Sequence, residues 1–124
     1  MNKLEEHLNE GKEIIVSITG LRIKRFWQTF RFFRHAVPCK IQAEKSPGNL
    51  YSAVKKINGV QHTLTAWDSK KSMLAYVHSP PHSKAIKIFH EIAEGKTCHL
   101  KMNKLPSWEE AIEIWNEQGK EYLR

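Results

Sequence analysis

The chain has 124 residues, with 20 lysines and arginines against 13 aspartates and glutamates, a formal charge of +7 and an isoelectric point near 9.5. That length suits one domain, residues 1–124, able to bury about two thirds of its unfolded surface, so folding needs no metal or disulfide. The 40% apolar content is globular, runs such as Ile14–Ile18 are too short to span a bilayer, and the acidic start MNKLEEHLNEGKE does not read as a secretory signal.

Residues 1–12 read as a polar leader, frayed or helical. IIVSITGLRI, residues 14–23, is rich in β-branched side chains and predicts a strand. Residues 25–45 predict a helix, because Phe26, Phe30, Phe33, Val37 and Ile41 recur at helical spacing. Pro38 is expected to kink or split it. Ser46-Pro47-Gly48 is a turn signal. Strands over 50–57 and 60–67 flank Asn58-Gly59, whose two residues accept the positive φ of a tight hairpin turn. Asp68 or Ser69 can cap a helix over 69–78. Ser79-Pro80 reads as a fresh N-cap with proline at the first helical position. That helix carries Ala85, Ile86, Phe89, Ile92 and Ala93 on one face, and Gly95 is expected to end it. A last strand over 97–102 follows. Ser107-Trp108-Glu109-Glu110 has the form of a capping box opening a C-terminal helix, with Trp108, Ala111, Ile112 and Trp115 on one stripe.

The order βαββαβ with an extra C-terminal helix predicts an α+β, ferredoxin-like fold with an antiparallel sheet. On the third strand Val60, His62, Leu64 and Ala66 alternate with Gln61, Thr63, Thr65 and Trp67. The first strand is apolar at both parities. A sheet apolar on both faces suggests that a second subunit covers the side without helices.

Cys39 and Cys98 form neither a CxxC nor a zinc spacing, so free thiols in a reducing cytoplasm are expected, with no metal site. The positive charge permits attraction to nucleic acid, anionic membranes or acidic ligands. Base-reading motifs are missing and the aromatic residues lie mostly on helices, which argues against nucleic acid. Nucleophile elbows, P-loops and dinucleotide fingerprints are also missing.

The segments FWQTFRFFRHA, SPGNL and INGVQHTLTAWDSKKSMLAYVHSPPH resemble the antibiotic-biosynthesis-monooxygenase superfamily, and within it bacterial proteins related to spheroidene monooxygenase. The similarity spans roughly residues 14 to 117, and its most specific part is the hairpin ending in Thr65-x-Trp67 with the Ser79-x-x-His82 step after it. The resemblance implies a homodimeric α+β barrel with a pocket between sheet and helices. It also implies oxygenation of aromatic substrates without a cofactor, or haem degradation. Trp67 matches the strand-end Trp of haem-degrading members, but the position of their axial His falls on Ile86, which cannot ligate iron. His78, His82 or His90 would have to substitute. In place of the first-strand Asn of such enzymes the chain offers Ser17 and Thr19.

From the residues themselves, His82 should face inward at its helix start, either bonded to nearby backbone or touching a ligand as a proton shuttle. Trp67 reads as core or as pocket wall, with an indole N–H able to hold a ligand oxygen. Thr63 and Thr65 share its face, while His62 lies on the opposite one. Arg31 and Arg34 share a helix flank with Trp27 and are either solvated or an anion site at the pocket rim. The expected site thus joins Trp67 and His82, as catalytic candidates, with Thr63, Thr65, His78, Arg31 and Arg34 around an apolar or aromatic small molecule. A non-catalytic dimeric ligand-binding or regulatory module is the alternative, and anionic-polymer binding through the basic helix is a weaker one.

Overall fold

The computed structural model describes residues 2–121. Chain order is α1 (Lys3–Asn9), β1 (Ile14–Ile23), a 3-10 turn (Phe26–Gln28), α2 (Thr29–Lys45), β2 (Asn49–Ile57) and β3 (Val60–Trp67). It continues with α3 (Lys70–Val77), α4 (Pro80–Ile92), β4 (Ala93–Met102), α5 (Trp108–Gln118) and a two-residue β5 (Lys120–Glu121). The strands form one antiparallel sheet in the order β2-β3-β1-β4-β5. Its four long strands have the ferredoxin-like arrangement the sequence predicts.

The local signals act as their chemistry requires. Asn58 and Gly59 both take positive φ, 51° and 78°, and join β2 to β3. Ser69, not Asp68, caps α3, its hydroxyl accepting the Ser72 N–H at 3.1 Å. Ser107 and Glu110 close a reciprocal capping box on α5. Ser79 precedes α4 as its N-cap, but its hydroxyl donates back to the Tyr76 carbonyl at 2.6 Å, so Pro80 at the first position carries the helix start.

Three expectations are corrected. Of the two outcomes expected at Pro38, kink or split, the split does not occur: α2 runs unbroken through it. The Arg34 carbonyl that loses its helical partner there belongs to an exposed residue, so water can satisfy it. Gly95 does not end α4. The helix stops at Ile92, Ala93 is already extended (φ −142°, ψ 162°), and the strand begins there because Ala93 pairs with Ile23 and Glu94 with Arg22. Gly95 lies inside β4, so close to Gly20 of β1 that a Cβ would collide with the Gly20 carbonyl.

The third correction concerns the sheet faces. One face is covered by α2, α3 and α4, where Ile15 and Trp67 meet Ala43 and Met73, and Leu21 meets Phe32, Phe89 and Ile92. The other face was expected to be without helices. Here Ile14, Val16, Ile18, Leu64 and Ala66 pack with Leu4 of α1 and Ala111 of α5, flanked by Leu8, Trp108 and Trp115. The leader is a helix with a buried leucine, so the two-sided apolarity of β1 is accounted for within one chain.

Candidate functional site on the two sheet faces

On the face under α2–α4 the structure brings together Trp67, Thr65 and His82. Trp67 is 1% exposed. Its indole N–H already donates to the Thr65 hydroxyl at 3.0 Å. Its ring stacks on Tyr76 of α3 with centroids 5.3 Å apart, and Tyr76 meets the His82 ring edge-on at 4.8 Å. The Tyr76 hydroxyl donates to the Cys39 carbonyl at 3.0 Å, and the Cys39 thiol points to the Pro81 carbonyl. One aromatic stack therefore ties β3, α2, α3 and α4. His82 Nδ1 lies 3.2 Å from the Val77 carbonyl, the backbone-bonded state expected for a histidine at a helix start. Burial lowers its pKa, partly opposed by that bond, so the ring is held neutral.

Beyond Trp67 this face turns polar. Ser17 sits opposite Thr65, and Thr19 opposite Thr63 and Thr97. The Thr19 and Thr97 hydroxyls are 2.9 Å apart. Ser17, Thr19, Thr63 and Thr97 are half-buried, so a lane of hydroxyls runs from the aromatic stack along the sheet.

The remaining predicted residues stand apart. His78 is the exposed C-cap of α3. Arg31 pairs with Glu91 of α4 at 3.0 Å, and Arg34 is exposed on the same helix. The two arginines thus sit on the outer side of α2 rather than at a rim beside Trp67. A tetrapyrrole would need an axial nitrogen and a slot over Trp67. Ile86 stands at the matching helical position and Tyr76 fills the space against the indole, so these residues do not fit haem. Among the described residues no cluster of three or more His, Cys, Asp or Glu is placed to hold a metal ion. Cys39 and Cys98 are buried free thiols, as expected, and burial pushes Cys39 up to about 11.

The opposite face opens at the end away from α1. There a cleft of about 790 Å³ lies between the sheet and the second half of α5, a size within the ligand-pocket range. Its floor is Gly20, Val60 and His62, and Ile112, Trp115 and Asn116 of α5 form one wall. Arg22, Lys24, His90, Glu94 and Lys96 stand around it, so cations outnumber the one carboxylate.

The floor is built on a missing side chain. Gly20 pairs with His62 on one side and Lys96 on the other. A Cβ on Gly20 would stand 2.5 Å from Trp115 Cζ2 and 2.7 Å from His62 Cε1. The bare strand lets the two rings meet edge-to-face at 4.7 Å. Trp115 is pinned by its indole N–H donating to the Lys96 carbonyl at 2.7 Å, with the Lys96 ammonium over its ring. Arg22 is held across the hairpin by the Asn58 carbonyl at 3.1 Å.

His62 is the chemically unusual group. It is 2% exposed, and its Nδ1 has no hydrogen-bond partner among the described residues. Burial lowers its pKa, partly opposed by a hydrogen bond with the Thr19 backbone. A neutral imidazole with one unused nitrogen can accept a proton or a ligand hydrogen bond. Alternation along β3 places His62 on this face, but the residues that make it a site come from α5 and β1. The available signal was Gly20, a glycine inside a strand, which often marks close approach of another group.

No family model matches the sequence, and neither does any curated protein. Solved structures do match in fold. A Deinococcus radiodurans protein assigned to the antibiotic biosynthesis monooxygenases superposes with a TM-score of 0.66 at 14% identity, over 75% of this chain and 96% of its own. A Nitrosomonas europaea protein with the same assignment gives 0.63 at 13%, over 74% and 90%. SnoaB of Streptomyces nogalater, a cofactor-independent oxygenase, gives 0.63 at 7%, over 77% and 99%. At these identities the likeness is one of fold, and the fold of this chain is the one that antibiotic biosynthesis monooxygenases share.

Proposed function

We propose that the chain is a monooxygenase-like protein that binds a small aromatic ligand carrying a negative charge, in the cleft between the sheet and α5. The observation that carries this reading is the buried, unpaired Nδ1 of His62 on the floor of a cationic cleft walled by Trp115. Trp115 offers an aromatic surface, Arg22 and Lys24 offer charge at the mouth, and His62 offers a neutral base. The chemistry is that of a cofactor-independent oxygenase, which the SnoaB fold likeness supports. His62, once its ring turns the buried Nδ1 toward the cleft, removes a proton from an acidic ring CH2, and the resulting anion reduces dioxygen. The CH2 and O2 become a C=O and water, so the substrate supplies all the electrons and no external reductant enters. The protein's part is to take the proton, orient the ring and exclude water.

A second placement is favoured by the half-buried hydroxyl lane of Ser17, Thr19, Thr63 and Thr97 beside Trp67 and the buried Thr65, the pocket that the resemblance implies. The two are separable by oxygen uptake with a carboxylated anthrone, an anionic tricyclic ketone with an acidic CH2, as probe. Saturable uptake lost in His62→Gln but kept in Trp67→Phe supports the cleft. The reverse pattern moves the site to the hydroxyl lane. Saturable binding without uptake leaves the non-catalytic ligand-binding module. A homodimer and a cytoplasmic location belong to the same reading. With α1 and α5 over Ile14–Ile18, two such sheets cannot meet directly there unless those helices move.

A further inference from the structure

We infer that the outer side of α2 and the turn before it form a docking surface for an anionic lipid bilayer. The residues whose helical spacing marks α2 in the sequence do not enter the core. Phe26 is 83% exposed, Trp27 64% and Phe30 80%, and Phe33, Val37 and Ile41 continue the stripe half-exposed. The core is served by a different side of the same helix, through Phe32, Cys39 and Ala43. A helix apolar on two sides has one side left without a partner among the described residues, and a contiguous exposed aromatic patch marks an interaction surface.

Charge decides which partner fits. Between Glu13 and Glu44 the sequence holds no acidic residue, while Arg22, Lys24, Arg25, Arg31, Arg34 and Lys40 all fall in that stretch. Arg31 is tied to Glu91 and Lys40 to Glu44. Lys24, Arg25 and Arg34 have no carboxylate at ion-pair distance among the described residues. The Arg25 guanidinium lies over the Trp27 ring at 5.6 Å, so cation and aromatic are presented together. Beside them a second hollow of about 490 Å³ is lined by Arg22, Lys56, Thr29 and Phe33. Two cations next to an apolar ring suit a phospholipid headgroup above its acyl chain.

Phe and Trp at the tip with Lys and Arg at the flank is the arrangement of a helix lying in a membrane interface. A second copy fits less well. A two-fold contact along this stripe would set Lys24, Arg25 and Arg34 near their own copies, at a cost that a bilayer of opposite sign does not impose. The inference does not depend on the cleft or on any catalysis.

The test is co-sedimentation of the full chain with vesicles of zwitterionic lipid alone and of zwitterionic lipid mixed with phosphatidylglycerol. We expect partitioning to the mixed vesicles, weakened by salt, with Trp27 emission quenched by bromine-labelled acyl chains. Phe26→Ser/Phe30→Ser should lower it about tenfold, and Lys24→Glu/Arg25→Glu by a similar factor. Both doubles change exposed residues, and unchanged thermal unfolding confirms that they fold. Three outcomes overturn the inference. One is no partitioning. Another is partitioning that either double leaves intact. The third is stripe-dependent self-association in sedimentation without vesicles, which makes a second copy the occupant.

Discussion

The two faces of the sheet use aromatic side chains in opposite ways. Under α2–α4, Trp67, Tyr76 and His82 form a stack whose polar atoms are satisfied internally, with the indole bonded to Thr65 and the imidazole to Val77. Across the sheet, Trp115 and His62 also meet ring to ring, but beside open space and with one imidazole nitrogen unused. The first cluster holds four elements together. The second spends part of its bonding on a wall. Buried aromatics alone therefore do not mark a site, whereas an unsatisfied polar atom beside a cavity does.

The contrast is broken most severely by Trp67→Ala. It empties a site that is 1% exposed and should cost about 3–5 kcal/mol in urea unfolding, because the stack joins β3 to three helices. If stability barely changes, the stack is not the structural half of the comparison. Gly20→Ala sharpens the other half. Its Cβ would stand under 3 Å from both rings, and about 1–3 kcal/mol of overpacking is expected as Trp115 or His62 is pushed aside. An NMR spectrum of the indole N–H should shift for Trp115 while Trp67 stays in place.

Ser107→Ala removes the hydroxyl that accepts the Glu110 N–H and should cost about 1 kcal/mol, loosening the start of α5 on the cleft face. Acidification addresses both faces. His62 and His82 are each lowered by burial from the ordinary 6.5. Below that value the unfolded chain takes up protons that the folded chain refuses. Stability is therefore full above about pH 6.5 and falls as pH drops from there toward the folded values. The slope between about pH 7.5 and about pH 5 should flatten in His62→Gln and in His82→Gln, and most in the double variant. An unchanged slope would mean that neither ring is held neutral. The smallest effect belongs to the outer stripe, where Phe30→Ser should stay within about 0.5 kcal/mol of the parent.

Strands and turns were the most legible features. β1 and β3 have the bounds that composition predicts, and Asn58-Gly59 and the Ser107 capping box act as their chemistry requires. These signals are local. The helix faces were not legible in the same way. Over the 3-10 turn and α2 both Phe26–Phe30–Phe33–Val37–Ile41 and Phe32–Cys39–Ala43 have helical spacing, and only tertiary packing selects the second for the core. The end of α4 was misplaced because Gly95 reads as a stop, while Ala93 leaves the helix to pair with Ile23. The Trp67–Thr65–His82 grouping was visible because β3 alternates and α3 is short. Tyr76, which joins the three, carries no motif. The cleft was the least legible, since Gly20, His62 and Trp115 lie on three separated elements.

The covering of one face by both α1 and α5 has a consequence for synthesis. A ribosome delivers β1 early and α5 after every long strand, so a nascent chain grown as far as β4 shows Ile14, Val16, Ile18 and Leu64 roofed on that side by α1 alone. During that interval the half-made sheet is a target for chaperones and for other nascent chains, and a stall before Trp108 would release a product prone to aggregate.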